Sequence, residues 1–216
     1  MIPGAGYLRL PHNWRLIAEP RLSAEIVREF IRPAIRAVPQ SMARRLPLCV
    51  FLLVPSLEEE DIVSHWTETE DRLEFTVATE GVDPHDVALE PLVCLGQALW
   101  ERATSVERTG WLQLLGAEVE AGVTGEIDED GLRAKRELLS SRVAARSMRR
   151  LQHYARVSFA STVAEYIHCM WHDVTVRIGL EHLPAEWLRC RLGLMVRFFP
   201  PDRGQRVIGQ ERATVF

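Results

Sequence analysis

The sequence predicts an α+β fold, a small sheet packed against a predominantly helical body. Three observations lead there. Leu48–Val54, LCVFLLV, is a continuous apolar run with β-branched and aromatic residues, and Pro55 stops it. That is the composition of a strand buried on both faces. In SHWTETEDRLEFTVATEG, Leu73, Phe75 and Val77 alternate with Glu74, Thr76 and Ala78, which gives a strand one wet and one buried face. Beyond Asp83, apolar residues recur mostly at helical spacing. An order of helix, strands, then many helices is that of an α+β domain.

A chain of 216 residues, 47% of them apolar, can bury a full core. We expect one domain over 1–216, with an N-terminal arm over 1–20, a core over 46–175, and a C-terminal helix and tail over 176–216. The formal charge of −4 argues against nucleic acid as a partner. Cys49, Cys94, Cys169 and Cys190 form no CxxC pair, which disfavours a zinc ribbon or a disulfide scaffold. Reduced thiols in a cytoplasm are the simpler expectation. MIPGAGYLRLPHNW has neither a basic nor an apolar leader region. No apolar run approaches the ~20 residues of a membrane span, so no membrane partner is expected.

In chain order, residues 1–20 are Pro- and Gly-rich and read as an arm on the body. Ser23 is a suitable N-cap for a helix over 24–37, which Pro33 should kink or shorten. The strand Leu48–Val54 follows, then two short strands within 64–81. Asp83 and Pro84 open a helix over 86–103 that is apolar nearly all round, the mark of a central buried helix. Its narrow polar stripe is Glu90, Gln97 and Glu101. Pro91 should sit near its first turn or distort it. A helix over 106–120 comes next. Thr124 is the expected cap of a helix with an acidic first turn that runs through 132–139. Residues 142–156 read as a basic amphipathic helix, 158–174 as a separate helix, and 187–199 as the last one, ended by Pro200, Pro201 and Gly204.

The helix over 158–174 carries Ala160, Val163, Ile167, Met170, Trp171 and Val174 on one face. Glu165, His168 and His172 fall at i, i+3 and i+7 on the other. In the central helix, LEPLVCLG at 89–96 places Glu90 between Leu89 and Val93. FASTVAEYIH at 159–168 contains the pair Ala164–Glu165.

The two phrases together resemble a degenerate gluzincin, a zincin-fold metallopeptidase. In that family an HExxH helix supplies two zinc-binding His and the Glu that activates the zinc-bound water. A downstream helix supplies a Glu as third ligand, often in a phrase like FAEAF. The order of elements over 46–175 is also similar. The resemblance implies that Glu90 stands at the general-base position, now vestigial, and Glu165 at the third-ligand position. Leu89 and Val93 replace both His ligands. A zinc site with the family's ligand set therefore cannot form, and neither a catalytic residue nor a cofactor is expected. The implied function is a pseudo-metallopeptidase with a binding or structural role, toward an unknown protein or peptide.

Two alternatives rest on what is present. Glu165, His168 and His172 form a 2-His-1-carboxylate set, suited to iron or to zinc with open positions, hence a metal-dependent hydrolase or oxygenase. Ferritin-like di-iron proteins use two ExxH motifs, and one is found here. The same three residues also suit a solvated helix face. The run Arg133, Lys135, Arg136, Arg142, Arg146, Arg149, Arg150 and Arg156 could bind an acidic partner, as a helical adaptor does, though such a run is usually a solvated, ion-paired face.

Two further patterns are weaker. EIDEDGLRAKRE at 126–137 matches EF-hand spacing, but it begins with Glu and carries Arg133 where an apolar residue pairs with a second hand. An acidic first helical turn explains it more simply. Cys169 and His172 are side by side on one helix, as chance composition also produces.

Overall fold

The computed structural model describes residues 7–18, 24–58, 62–140, 144–172 and 179–207, with side chains at all of these except 144–146. Five strands form one sheet: β1 (Leu8–Arg9), β2 (Arg15–Ala18), β3 (Leu48–Val54), β4 (Ser64–Glu68) and β5 (Arg72–Ala78). Their spatial order is β1-β2-β3-β5-β4. The inner strands β2, β3 and β5 run parallel, and the edge strands β1 and β4 run antiparallel to their neighbours. In register, Phe51 lies between Leu16 and Phe75, and its ring stacks on Phe75 at 5.1 Å between centroids. Leu73, Phe75 and Val77 are fully buried, as their alternation predicts.

Within the expected N-terminal arm, Leu8–Arg9 and Arg15–Ala18 are sheet strands. They are short, and Pro11 with left-handed His12 and Asn13 turns the chain between them. A two- or four-residue strand carries too little alternation to be read in advance. Ser23, the expected cap of the first helix, lies outside the described residues. The helix itself is α1 (Ala24–Ile26), a π-turn over Val27–Ile31 and α2 (Arg32–Ala37). Arg32 N–H reaches five residues back to the Val27 carbonyl. Pro33 has no N–H to give, and the wide turn sits directly before it. A short helix, α3 (Gln40–Ala43), precedes β3.

Helix α4 (Pro84–Glu101) is the central helix, with Leu92, Leu95 and Ala98 fully buried. Asp83 caps it by accepting from the His85 N–H at 2.8 Å. Pro91 lies in its interior and is buried. Two residues of the polar stripe, Glu90 and Gln97, face the edge strand, while Glu101 is exposed. Ser64 donates to Glu90 at 2.6 Å, and the Trp66 indole donates to Gln97 at 3.1 Å. Helix α5 (Ser105–Glu120) starts with a capping box between Thr104 and Glu107.

The cap of α6 (Glu129–Leu139) is Asp128, which accepts from the Gly131 N–H at 2.7 Å. Thr124, the expected cap, is exposed and sits in the irregular segment before the helix. There Glu126 N–H donates to the Glu181 carbonyl and Leu183 N–H to the Glu126 carbonyl, both at 2.9 Å. Gly125 permits this approach, because a Cβ there would stand 2.0 Å from the His182 oxygen.

The two helices expected over 142–156 and 158–174 are one, α7 (Ala144–His168). The polar residues at the start of the second segment do not break it. Ser158 and Thr162 donate back to the carbonyls of Ala155 and Ser158 in the preceding turn, so their hydroxyls are satisfied inside the helix. Helix α8 (Ala185–Phe198) closes the body. Among the described residues no helix is long and apolar enough to cross a membrane.

Helices α4 and α7 meet where both side chains are small. A Cβ on Gly96 would lie 2.7 Å from the Ala160 Cα and carbonyl oxygen. Gly96→Ala gains about 1 kcal/mol of helix propensity but forces two backbones apart, an overpacking cost of about 1–3 kcal/mol or more. We expect a lower denaturation midpoint for this variant. A midpoint that stays or rises would show that the helices are not in such contact.

Candidate functional site

A cleft of about 640 Å³ opens between α4, α7, the lead into α6 and the start of α8. Along α4 it is lined by His85, Leu89, Glu90 and Val93. Along α7 it is lined by Ser161, Ala164, Glu165 and His168, and Asp128 and His172 also border it. Every residue singled out in the two gluzincin-like phrases, from two separate helices, thus borders one cavity.

Two acids in this cleft are held by hydroxyls. Burial raises the pKa of Glu90 above the usual carboxylate range, against the lowering effect of the Ser64 hydrogen bond, and Asp130, Asp86 and Asp128 raise it further. Asp128 is also raised by burial, opposed by hydrogen bonds from the Ser161 hydroxyl and the Gly131 amide. Cys94 packs beside Glu90, donates to the Ser64 oxygen, and is pushed up to about 12, mainly by burial.

At the far end stand three imidazoles. His85 Nε2 and His168 Nε2 lie 3.0 Å apart. The His172 ring centroid is 5.6 Å from each of the other two. Glu165 Oε2 lies 3.5 Å from His168 Nδ1. Burial lowers the His85 pKa, and the neighbouring His168 and His172 add to this. The expected solvated face therefore does not describe His168, which is 9% exposed, although His172 is exposed. Among the described residues, no three His, Cys, Asp or Glu side chains stand placed to hold a metal ion. His85 was not foreseen. It lies 83 residues before His168, and its one local signal is its place at the start of a capped helix.

Behind the cleft wall lies a buried ionic cluster. Arg191 forks onto Glu118 at 2.7 and 2.6 Å and onto Glu126 at 2.8 Å twice. Lys135 reaches Glu126 at 3.0 Å and the Gly125 carbonyl at 3.0 Å. Tyr154 donates to Glu126 and accepts from Arg191. All five residues are at most 1% exposed. Burial alone would raise Glu126, but the charges and hydrogen bonds of Arg191, with Lys135, bring it below the usual carboxylate range.

These contacts agree with one expectation and correct another. Glu126 has both oxygens on Arg191, and Asp128 is a helix cap, so the EF-hand pattern is a helix start rather than a calcium loop. Lys135 belongs to the interior rather than to a solvated basic face. Arg149 and Arg156 are exposed, and Arg150 donates to the Glu137 carbonyl at 2.7 Å. Arg142 lies outside the described residues. Cys169 is buried, and its pKa is raised to about 12 by burial and then by Glu165, so it stays a thiol rather than a nucleophile.

Two outcomes follow. Arg191→Met strands two buried carboxylates and should cost about 3–5 kcal/mol, seen as a large fall in the denaturation midpoint. A fall under about 1 kcal/mol would contradict the cluster. For Glu90 the sign is set by its raised pKa. Between the ordinary carboxylate range and that raised value, folded chain holds a proton that unfolded chain has released, so stability falls as pH rises through this window. Glu90→Gln can still accept from Ser64 and removes this dependence. It should be more stable than wild type at neutral pH, with the advantage gone below the carboxylate range. No family model matches the chain, and neither a curated protein nor a solved structure matches it.

Proposed function

We propose that this chain is a zincin-like protein without peptidase chemistry, and that its α4–α7 cleft is a binding surface for a protein or peptide segment. The observation that carries the reading is the shared cleft. Leu89, Glu90 and Val93 of α4 border the same cavity as Ala164 and Glu165 of α7. A catalytic zinc needs three protein ligands and one open position for water. Leu89 and Val93 offer hydrocarbon at two of the three, and Glu165 alone is too few. Without a metal-acidified water, Glu90 has no proton to take, and its environment favours the neutral acid. Asp86, Glu129 and Glu165 at the rim suit a positively charged segment.

Two measurements test this. Wild-type protein should leave a casein-type substrate intact with or without added zinc, and chelator-sensitive cleavage would end the reading. Restoring the two imidazoles should restore the ion. The Leu89→His/Val93→His variant should gain one zinc per chain beyond wild type, lost again when Glu165→Gln is added. If the double variant gains no Glu165-dependent zinc, the gluzincin-like geometry is wrong.

A further inference from the structure

We propose that the sheet face turned away from α4 docks a second copy of this chain, in a face-to-face dimer whose two-fold axis runs along β3. This does not rest on the zincin-like reading, and it uses no residue of the cleft.

Strand β3 is apolar on both faces. Cys49, Phe51 and Leu53 belong to the core. Leu48, Val50, Leu52 and Val54 alternate with them along the strand, so they stand on the opposite face. Ile17 of β2 joins that face, in register with Leu52. Among the described residues none of these five belongs to the core or packs against it. Val50 is buried and the other four are half-buried. Strands β2, β3 and β5 are parallel, and parallel sheets are ordinarily covered on both faces. Helix α4 lies on the core side, where Ser64 and Trp66 of β4 hold it. The sheet of another copy would supply the second cover that the unbroken apolarity of LCVFLLV suits.

Charge on this face selects the occupant and its orientation. Arg15 of β2 and Glu74 of β5 flank Val50 in one register row. Strands lie about 4.8 Å apart, so the two charges stand at similar distances on either side of β3. A two-fold axis along β3 exchanges those sides. It sets Arg15 of each copy over Glu74 of the partner subunit, and the apolar ridge of β3 over itself. An isologous interface needs a self-complementary patch of this kind. An axis across the strands would set β2 over β2 and part the two charges. Arg15 is exposed, with its guanidinium 4.7 Å over the Tyr7 ring, and among the described residues it meets no carboxylate. Arg72 holds Glu74 through Oε1 at 2.7 Å, and Oε2 can accept from a second guanidinium. Facing sheets pack about 10 Å apart, a gap that an arginine and a glutamate span together. Strands of this length give a patch about 20 Å across on each copy. Burying on the order of 1,000 Å² in all is the low end of specific interfaces, so the dimer should dissociate reversibly on dilution. The cleft, beyond α4, stays open in it.

The test is sedimentation equilibrium of the full chain from micromolar to near-millimolar concentration, where we expect monomer and dimer in equilibrium. Leu52→Lys buries a charge in the interface and should abolish the dimer. Arg15→Glu and Glu74→Lys each bring like charges together at both contacts, and each should weaken association tenfold or more. Mixed in equal amounts, these two variants should associate with near wild-type affinity, because each contact again joins opposite charges. Far-UV circular dichroism checks that every variant folds. Arg15 is exposed, so Arg15→Glu carries the test should Leu52→Lys fail to fold. A chain that stays monomeric throughout would overturn the proposal and leave the face to a partner of another kind. A dimer unmoved by Leu52→Lys or by Arg15→Glu would overturn it as well, as would a mixture that regains no association. None of these results bears on the zinc gained by Leu89→His/Val93→His, which needs different residues.

Discussion

Arg191 cannot be buried alone. A guanidinium taken wholly out of water needs carboxylates around it, and here it holds two, each by two hydrogen bonds. Those partners arrive from separate places: Glu118 from α5 and Glu126 from the lead into α6, with Tyr154 from α7 and Arg191 itself from α8. Lys135 of α6 supplies the second cation, so two positive and two negative side chains balance. The helical body is thus joined at one electrostatic point. Glu126 sits two residues before Asp128, and fixing the first fixes the floor of the cleft and the cap of α6 at once.

The cleft wall depends on a second constraint, the contact of α4 with α7. Gly96 meets Ala160 and His85 meets His168, so the helices run antiparallel. At Gly96 no side chain separates them. Toward the start of α4 the facing residues become Val93, Glu90, Leu89 and His85, and the space between the helices opens to hold them. On the outer side β4 keeps α4 in place through Ser64 and Trp66, which lie two apart on one strand face and grip Glu90 and Gln97. Glu90 and Gln97 of the polar stripe are therefore the helix's seam with the sheet edge.

Much of this frame is legible in the chain. The runs that became β3, β4 and β5 carry a two-residue period or continuous apolarity, and the central helix carries all-round apolarity, both of which are local signals. The hairpin of β1 and β2 is too short to carry such a signal. The continuity of α7 was hidden by a change of pattern near residue 157, where a basic amphipathic stretch gives way to an apolar one and the helix runs on without a break. The ionic cluster was illegible for another reason. Arg191 lies 73 residues from Glu118 and 65 from Glu126, and charge in a sequence does not say with what it pairs. Glu126 therefore looked like part of an acidic helix start rather than an ion-pair partner, and Lys135 like surface. The placing of Glu90 and Glu165 on one cleft was anticipated through two short phrases, whereas His85 was not, because nothing near it in sequence marks its partner.

The acids of the two neighbouring regions are treated in opposite ways, and that difference bears on what the cleft can do. Glu126 is locked as a carboxylate by Arg191 and Lys135, so its charge is spent on structure. Glu90 and Asp128 receive hydrogen bonds from Ser64 and Ser161 and from one backbone amide, and no cation reaches either at ion-pair distance among the described residues. A hydroxyl can donate to the carboxylate or accept from the neutral acid, so it supports both protonation states where a guanidinium supports one. Burial then tips Glu90 and Asp128 upward. A cationic segment entering the cleft would reverse that tilt, because an opposite charge favours the ionised form. Binding of such a segment should therefore release protons, and more of them as the buffer falls toward the raised values. Proton release measured in buffers of different ionisation enthalpy would separate this acid-lined cleft from one that recognises its ligand by shape and apolar contact alone.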